Sequence, residues 1–146
     1  MIFDKTTLLS DAQAITADAV STNVIDLLAT GTVYGAAAPL TKDVGKGQAL
    51  KLHIQVVEAF NTLTSLGIQV QVCAVENFGS GVKTLVTETL ALADLVAGKT
   101  SNILAVPAGA DLRYLRLNYD VTGTNPTTGK ITAGLVMGSQ TNGVDF

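Results

Sequence analysis

Few side chains here are of types that do chemistry, and their spacing can be tested one motif at a time. Gly98-Lys99-Thr100 has the ending of a phosphate-binding loop, where backbone amides and a lysine cradle phosphate oxygens. That pattern needs a glycine five positions before Gly98, where Ala93 stands. It also needs a following helix, where this chain runs through Ile103 and Leu104 to Pro107. The segment reads as a turn. Gly79-Ser80-Gly81 and Gly45-Lys46-Gly47 each lack the third glycine of a dinucleotide fingerprint and read as hairpin or loop glycines.

His53, the single histidine, is a candidate general base. Catalysis would also require a nucleophile and an orienting group, for which there is no local signature. By alternation His53 keeps company with Lys51 and Gln55, so it reads as a structural or interface residue. Cys73, the single cysteine, can form no internal disulfide and no zinc site. With Gln71 beside it and no cationic neighbour to lower a thiol pKa, it reads as packing or an interface contact. Three Glu and nine Asp residues could converge into a glycosidase pair. Asp43, Asp94 and Asp111, however, stand in turn contexts, where aspartate caps or bends the chain, and no stretch has the ligand spacing of an EF-hand. The expectation is a protein that is not an enzyme and takes no cofactor or metal.

The elements that position these residues are strands. Period-two alternation, the mark of a strand with one buried face, runs through Ala49–Glu58, Gly67–Glu76, Lys83–Leu90, Asp111–Gly123 and Lys130–Met137. In the first, Leu52, Ile54 and Val56 oppose Lys51, His53 and Gln55; in the fourth, Leu115, Leu117, Tyr119 and Val121 oppose Tyr114, Arg116, Asn118 and Asp120. Shorter apolar runs at Ile2–Leu9, Thr22–Leu28 and Asn102–Val106 bring the expected number of strands to about eight. Breaker clusters at 77–81, 107–110 and 123–129 separate them. The pattern predicts an all-β, jelly-roll-like antiparallel β-sandwich in a single domain over 1–146.

Two segments fit less well. Ser10-Asp11-Ala12-Gln13 resembles a capping box before an Ala-rich stretch to Val20; it suits a short helix or an extended arm over 1–20, and the arm is favoured. Leu90–Ala97 has helical spacing for one or two turns before Gly98. Residues 29–48, with Gly31, Gly35, Pro39, Gly45 and Gly47, form a long loop, a feature that in compact domains is commonly functional or disordered. It reads as a loop ordered by a neighbour.

Composition narrows the function. The 146 residues carry a net charge of -3 and only 14% charged residues against 47% apolar, where soluble domains have about 25% charged. Mean hydropathy is +0.39. So few charges leave much of the surface to be covered by other subunits, which predicts an assembly component. No apolar run nears the ~20 residues of a membrane span, and Met1-Ile2-Phe3-Asp4-Lys5 lacks a signal peptide's basic start. With a pI near 4.9 and two arginines, no basic stripe suits nucleic acid.

Leu112-Arg113-Tyr114-Leu115-Arg116-Leu117-Asn118-Tyr119-Asp120-Val121-Thr122-Gly123, followed by Gly129–Val136, resembles the C-terminal hairpin of the capsid cement or decoration proteins of tailed phages of podovirus type. Leu9–Thr16 with Ser21–Leu27, and Leu92–Gly98, extend the resemblance in order along the chain; 29–48 has no counterpart. The resemblance implies a jelly-roll virion protein, assembled in the host cytoplasm, that sits as a homodimer on the outer capsid surface and bridges major capsid protein subunits. Composition leaves dimer and trimer open. Interface candidates are the N-terminal arm, then Tyr34, Lys42 and Lys46 of the long loop, then Tyr114 and Arg116, which share a less apolar strand face and are types enriched at hot spots. The alternative is a jelly-roll carbohydrate-binding module displayed on a virion, a reading that the lack of Trp makes weaker.

Overall fold

Alternation determines which side chains enter the core, and the backbone follows it. The computed structural model describes residues 3–138; Met1 and Ile2, at the start of the first expected apolar run, lie outside the described residues. Eight strands form two antiparallel sheets: β1 (Leu8–Ala14), β2 (Ala19–Val20), β3 (Ile25–Asp26), β4 (Leu52–Glu58), β5 (Leu63–Cys73), β6 (Lys83–Ala91), β7 (Tyr114–Gly123) and β8 (Lys130–Leu135). One sheet has the order β1-β8-β4, and the other β2-β7-β5-β6 with β3 also on β7. Residues 99–106 lie along the free side of β4 with single bridges Gln55–Thr100 and Lys51–Ala105. Counting that segment as a degenerate strand, the two sheets have the strand order of a jelly roll, so the expected fold class is the observed one. A single 3-10 turn at Leu92–Asp94 is what forms of the expected helical turns.

The core lies between the sheets. Leu52, Ile54 and Val56 from β4, Ile68, Val70 and Val72 from β5, and Leu115, Leu117 and Tyr119 from β7 are all buried. Tyr119 is fully buried with its hydroxyl 2.8 Å from Ser10 Oγ. Ser10 gives its own proton to Gln13 Oε1 at 2.8 Å, so the Tyr119 hydroxyl is the donor to Ser10. Burial pushes the Tyr119 phenol up from its ordinary value.

The extended form favoured for the N-terminal segment is the observed one, built into the sheet: β1 pairs with β8 across Leu8–Gly134 to Ala14–Lys130, and Leu9 and Ile15 are fully buried. Two expectations need correction. Ser10 and Gln13 do interact, yet in a bulged strand rather than a helix cap, with Ala12 at φ 43 where the register shifts. Thr22–Leu28 contributes only the two residues of β3, and Asn102–Val106 only part of the bridged segment. In the latter, Glu88 of β6 accepts from the Ser101 hydroxyl, the Asn102 amide nitrogen at 3.1 Å and Asn102 Nδ2 at 2.6 Å. These side-chain bonds tie the segment to the opposite sheet, while backbone bonds such as Ser101 N to Ile54 O at 2.9 Å and Leu52 N to Leu104 O at 3.1 Å hold it along β4.

Candidate functional site

Two surfaces stand out from the sandwich. The first is the long loop. From Leu27 to Thr41 there is no charged residue, and every residue from Gly31 to Leu40 is exposed. The loop is nevertheless closed on itself: the Leu40 amide donates to Gly31 O at 3.0 Å and the Ala36 amide to Val33 O at 3.0 Å, around Gly35 at φ +82. The result is a finger that presents Leu28, Val33, Tyr34 and Leu40 to solvent, Tyr34 at 108% of its reference exposure.

Its base is clamped. Asp26 receives two bonds from Arg113, Nε at 2.9 Å and Nη2 at 2.7 Å, and one from the Leu28 amide at 2.8 Å. The arginine holds the Asp26 carboxyl down at about 2. Leu28 sits at φ 68, a left-handed conformation that costs a leucine about 1–2 kcal/mol. On the returning side, Lys42 donates to the carbonyls of Leu27 and Leu28, the latter at 2.8 Å. Asp43 accepts from the amides of Gly109 at 2.8 Å and Gly45 at 3.0 Å; these bonds, Gly109 foremost, lower its pKa. Gly45 is required here, because a Cβ would lie 1.8 Å from Pro107 O.

The second surface is the outer face of the five-stranded sheet. Register places Thr84, Gln71 and Arg116 in one row, Thr87, Gln69 and Asn118 with Val20 in the next, and Thr89, Gly67 and Asp120 in a third. Gln71 Nε2 donates to Gln69 Oε1 at 2.9 Å, and Arg116 Nε to Gln71 Oε1 at 3.0 Å. The β5–β6 loop folds back over one corner, where Phe78 lies 4.1 Å from the Arg116 guanidinium and Ser80 O accepts from Cys73 Sγ at 3.1 Å. Partial burial lowers the Arg116 pKa from its ordinary value.

The sequence candidates therefore divide. Tyr34 and Lys46 are presented to solvent, the Lys46 side chain at 75% exposure, whereas Lys42 turns inward as a clamp. Tyr114 and Arg116 are half-buried, and Arg113 stands 4.9 Å over the Tyr114 ring. Finger and sheet face are separate surfaces, joined through the Asp26–Arg113 pair. Sequence reasoning missed Leu28, Val33 and Leu40, for which the charge-free run 27–41 was the available signal.

The residues weighed for chemistry take structural places. Gly98 occupies a turn at φ +92 and donates to Val56 O at 2.8 Å. His53 is buried 5.8 Å from the Phe3 ring, and burial lowers its pKa. Cys73 is fully buried. Among the described residues no group of three or more His, Cys, Asp or Glu could hold a metal ion. An open groove of about 500 Å³ between β6 and residues 102–108 has no aromatic lining residue on which a sugar could stack.

Fold and surfaces together define a jelly-roll β-sandwich with a clamped, charge-free finger. A family model, Bbp16, matches residues 9–136, and the chain belongs to this phage-associated family. No curated protein matches the chain.

Proposed function

We propose that this protein is a structural virion component, a capsid cement or decoration protein. In this reading it binds the outer surface of an icosahedral phage head as a homodimer, contacts no nucleic acid or membrane, and bridges major capsid protein subunits. The observation that carries the reading is the finger: an apolar, uncharged projection whose base is fixed by an ion pair, a lysine clamp and a glycine packed against the Pro107 carbonyl. Exposed apolar patches of this kind mark interaction surfaces, and a clamped base lowers the ordering cost of docking. The phage-associated family and the low charge content agree with it.

The mechanism is linkage. A protein that binds the assembled shell and not its separated subunits stabilises the shell by mass action. Contacts to more than one subunit then multiply modest patches through effective concentration. Replacing Tyr34 and Leu40 together by Ala should reduce occupancy of undecorated expanded heads at least tenfold, while the protein's own melting temperature changes little. Occupancy equal to that of the unmodified protein would overturn the finger's role.

A further inference from the structure

We propose that the outer face of the five-stranded sheet is the homodimer interface, with a two-fold axis at Asn118 that sets Arg116 of each copy against Asp120 of the other. This rests on the homodimer of the preceding reading and assigns it a surface. Arg116 and Asp120 lie on the same face of β7, four residues apart. At about 3.3 Å per residue they are about 13 Å apart and do not pair within one chain.

Arg116 is held in place by Gln71 and Phe78, and no carboxylate pairs with it among the described residues. The other arginine, Arg113, is committed to Asp26, and Lys46, Lys83, Lys99 and Lys130 each have an acid within 4 Å. Asp120 is exposed, with its side chain over the buried Gly67, where a Cβ would meet Asp120 Cβ at 3.3 Å. Asp18, which accepts from the Val121 amide at 2.8 Å, adds a second acid at that end. The face thus has a basic end, an acidic end and a centre of Gln69, Thr87, Asn118 and Val20 without charge. An isologous axis through such a centre satisfies both ends at once.

Shape agrees with charge. The Phe78 loop raises the basic end, whereas Ser65, Gly67 and Ala91 keep the acidic end low, and the same axis lays raised end over low end. The three long strands β5, β6 and β7, about 4.8 Å apart and about ten residues long, with the short β2 and β3 beside them, offer about 500–600 Å² per copy, or about 1,000–1,200 Å² in the pair, at the lower edge of specific interfaces.

The test is sedimentation of the unmodified protein, Arg116→Asp, Asp120→Arg, an equimolar mixture of these two variants, and the double exchange. Each single variant opposes like charges at both contacts, so its dimer should dissociate at least tenfold more readily than the unmodified one. Mixing them restores opposite charges at both contacts and should return a heterodimer, and the double exchange should return a homodimer. Asn118→Arg, which places like charges on the axis itself, serves as an independent disruptor if a charge exchange does not fold. A monomeric unmodified protein at 0.1 mM or above (about ten thousand times a 10 nM constant), unweakened single variants, or a mixture that stays monomeric would each overturn the proposal. A dimer that leaves heads undecorated would contradict only attachment to the shell, and a monomer that decorates them only the homodimer and its interface.

Discussion

The two outer faces of the sandwich are finished differently. On the three-stranded sheet the chain covers itself: residues before β1 cross the face, Phe3 packs against His53, and the Leu135 amide donates to Thr7 O at 2.9 Å. On the five-stranded sheet the described residues cover only the Phe78 corner, and Gln, Asn and Thr side chains bond to one another along the rest. One face is closed by its own sequence; the other is polar, uncharged at its centre and free along most of its length. In the reading proposed above, that open face meets a second copy of the chain.

Breaking what both faces share should have the largest effect. Leu117 is fully buried between the sheets, and Leu117→Ala should lower stability by about 2–5 kcal/mol in urea denaturation. A glycine on each face then sharpens the contrast. A Cβ at Gly134 would meet Thr7 O at 3.0 Å, Leu8 Cα at 3.1 Å and Phe3 Cδ1 at 3.2 Å, so Gly134→Ala should push the cover off at a cost of about 1–3 kcal/mol. A Cβ at Gly67 would meet only Asp120, with Cβ at 3.3 Å. That side chain can move into solvent, and Gly67→Ala should stay within about 1 kcal/mol of the parent.

Smaller effects follow from titration. Burial holds the His53 pKa below 6.5, so the unfolded chain binds the proton first as pH falls. Stability is flat above about 6.5 and declines below it as far as the folded-state pKa. Phe3→Ala should expose the ring, return its NMR-monitored pKa towards 6.5 and flatten that slope. On the other face, the Asp26 carboxyl at about 2 contributes stability that is complete above about 4 and is lost as pH falls towards 2. Asp26→Asn should remove that acid-limb contribution, and should also loosen the finger, read as faster proteolysis within 29–41.

Much of the fold was legible because the inward positions of β4, β5, β7 and β8 alternate without interruption. The failures have local causes. β1 was obscured because Ala-rich residues have weak strand preference and its bulge at Ala12 breaks the period. The 99–106 segment reads as a strand by hydropathy and does bond along β4 through the backbone, Val56 N to Lys99 O, Ser101 N to Ile54 O and Leu52 N to Leu104 O, yet only two of its residue pairs are regular bridges. In the site, Tyr34 was legible as an exposed aromatic in a glycine-rich loop. The inward turn of Lys42 was not, because its partners are backbone carbonyls, which no sequence pattern marks. Asp120 was placed on its strand face, but its relation to Arg116 required the sheet register.

Attachment to a capsid can be measured by mixing purified protein with undecorated expanded heads. The two readouts are bound copy number and the temperature at which the shell is disrupted. Saturable, symmetry-matched binding and a raised disruption temperature are the expected results. Folded protein that fails to bind, or that binds without changing the disruption temperature, would contradict the proposed function.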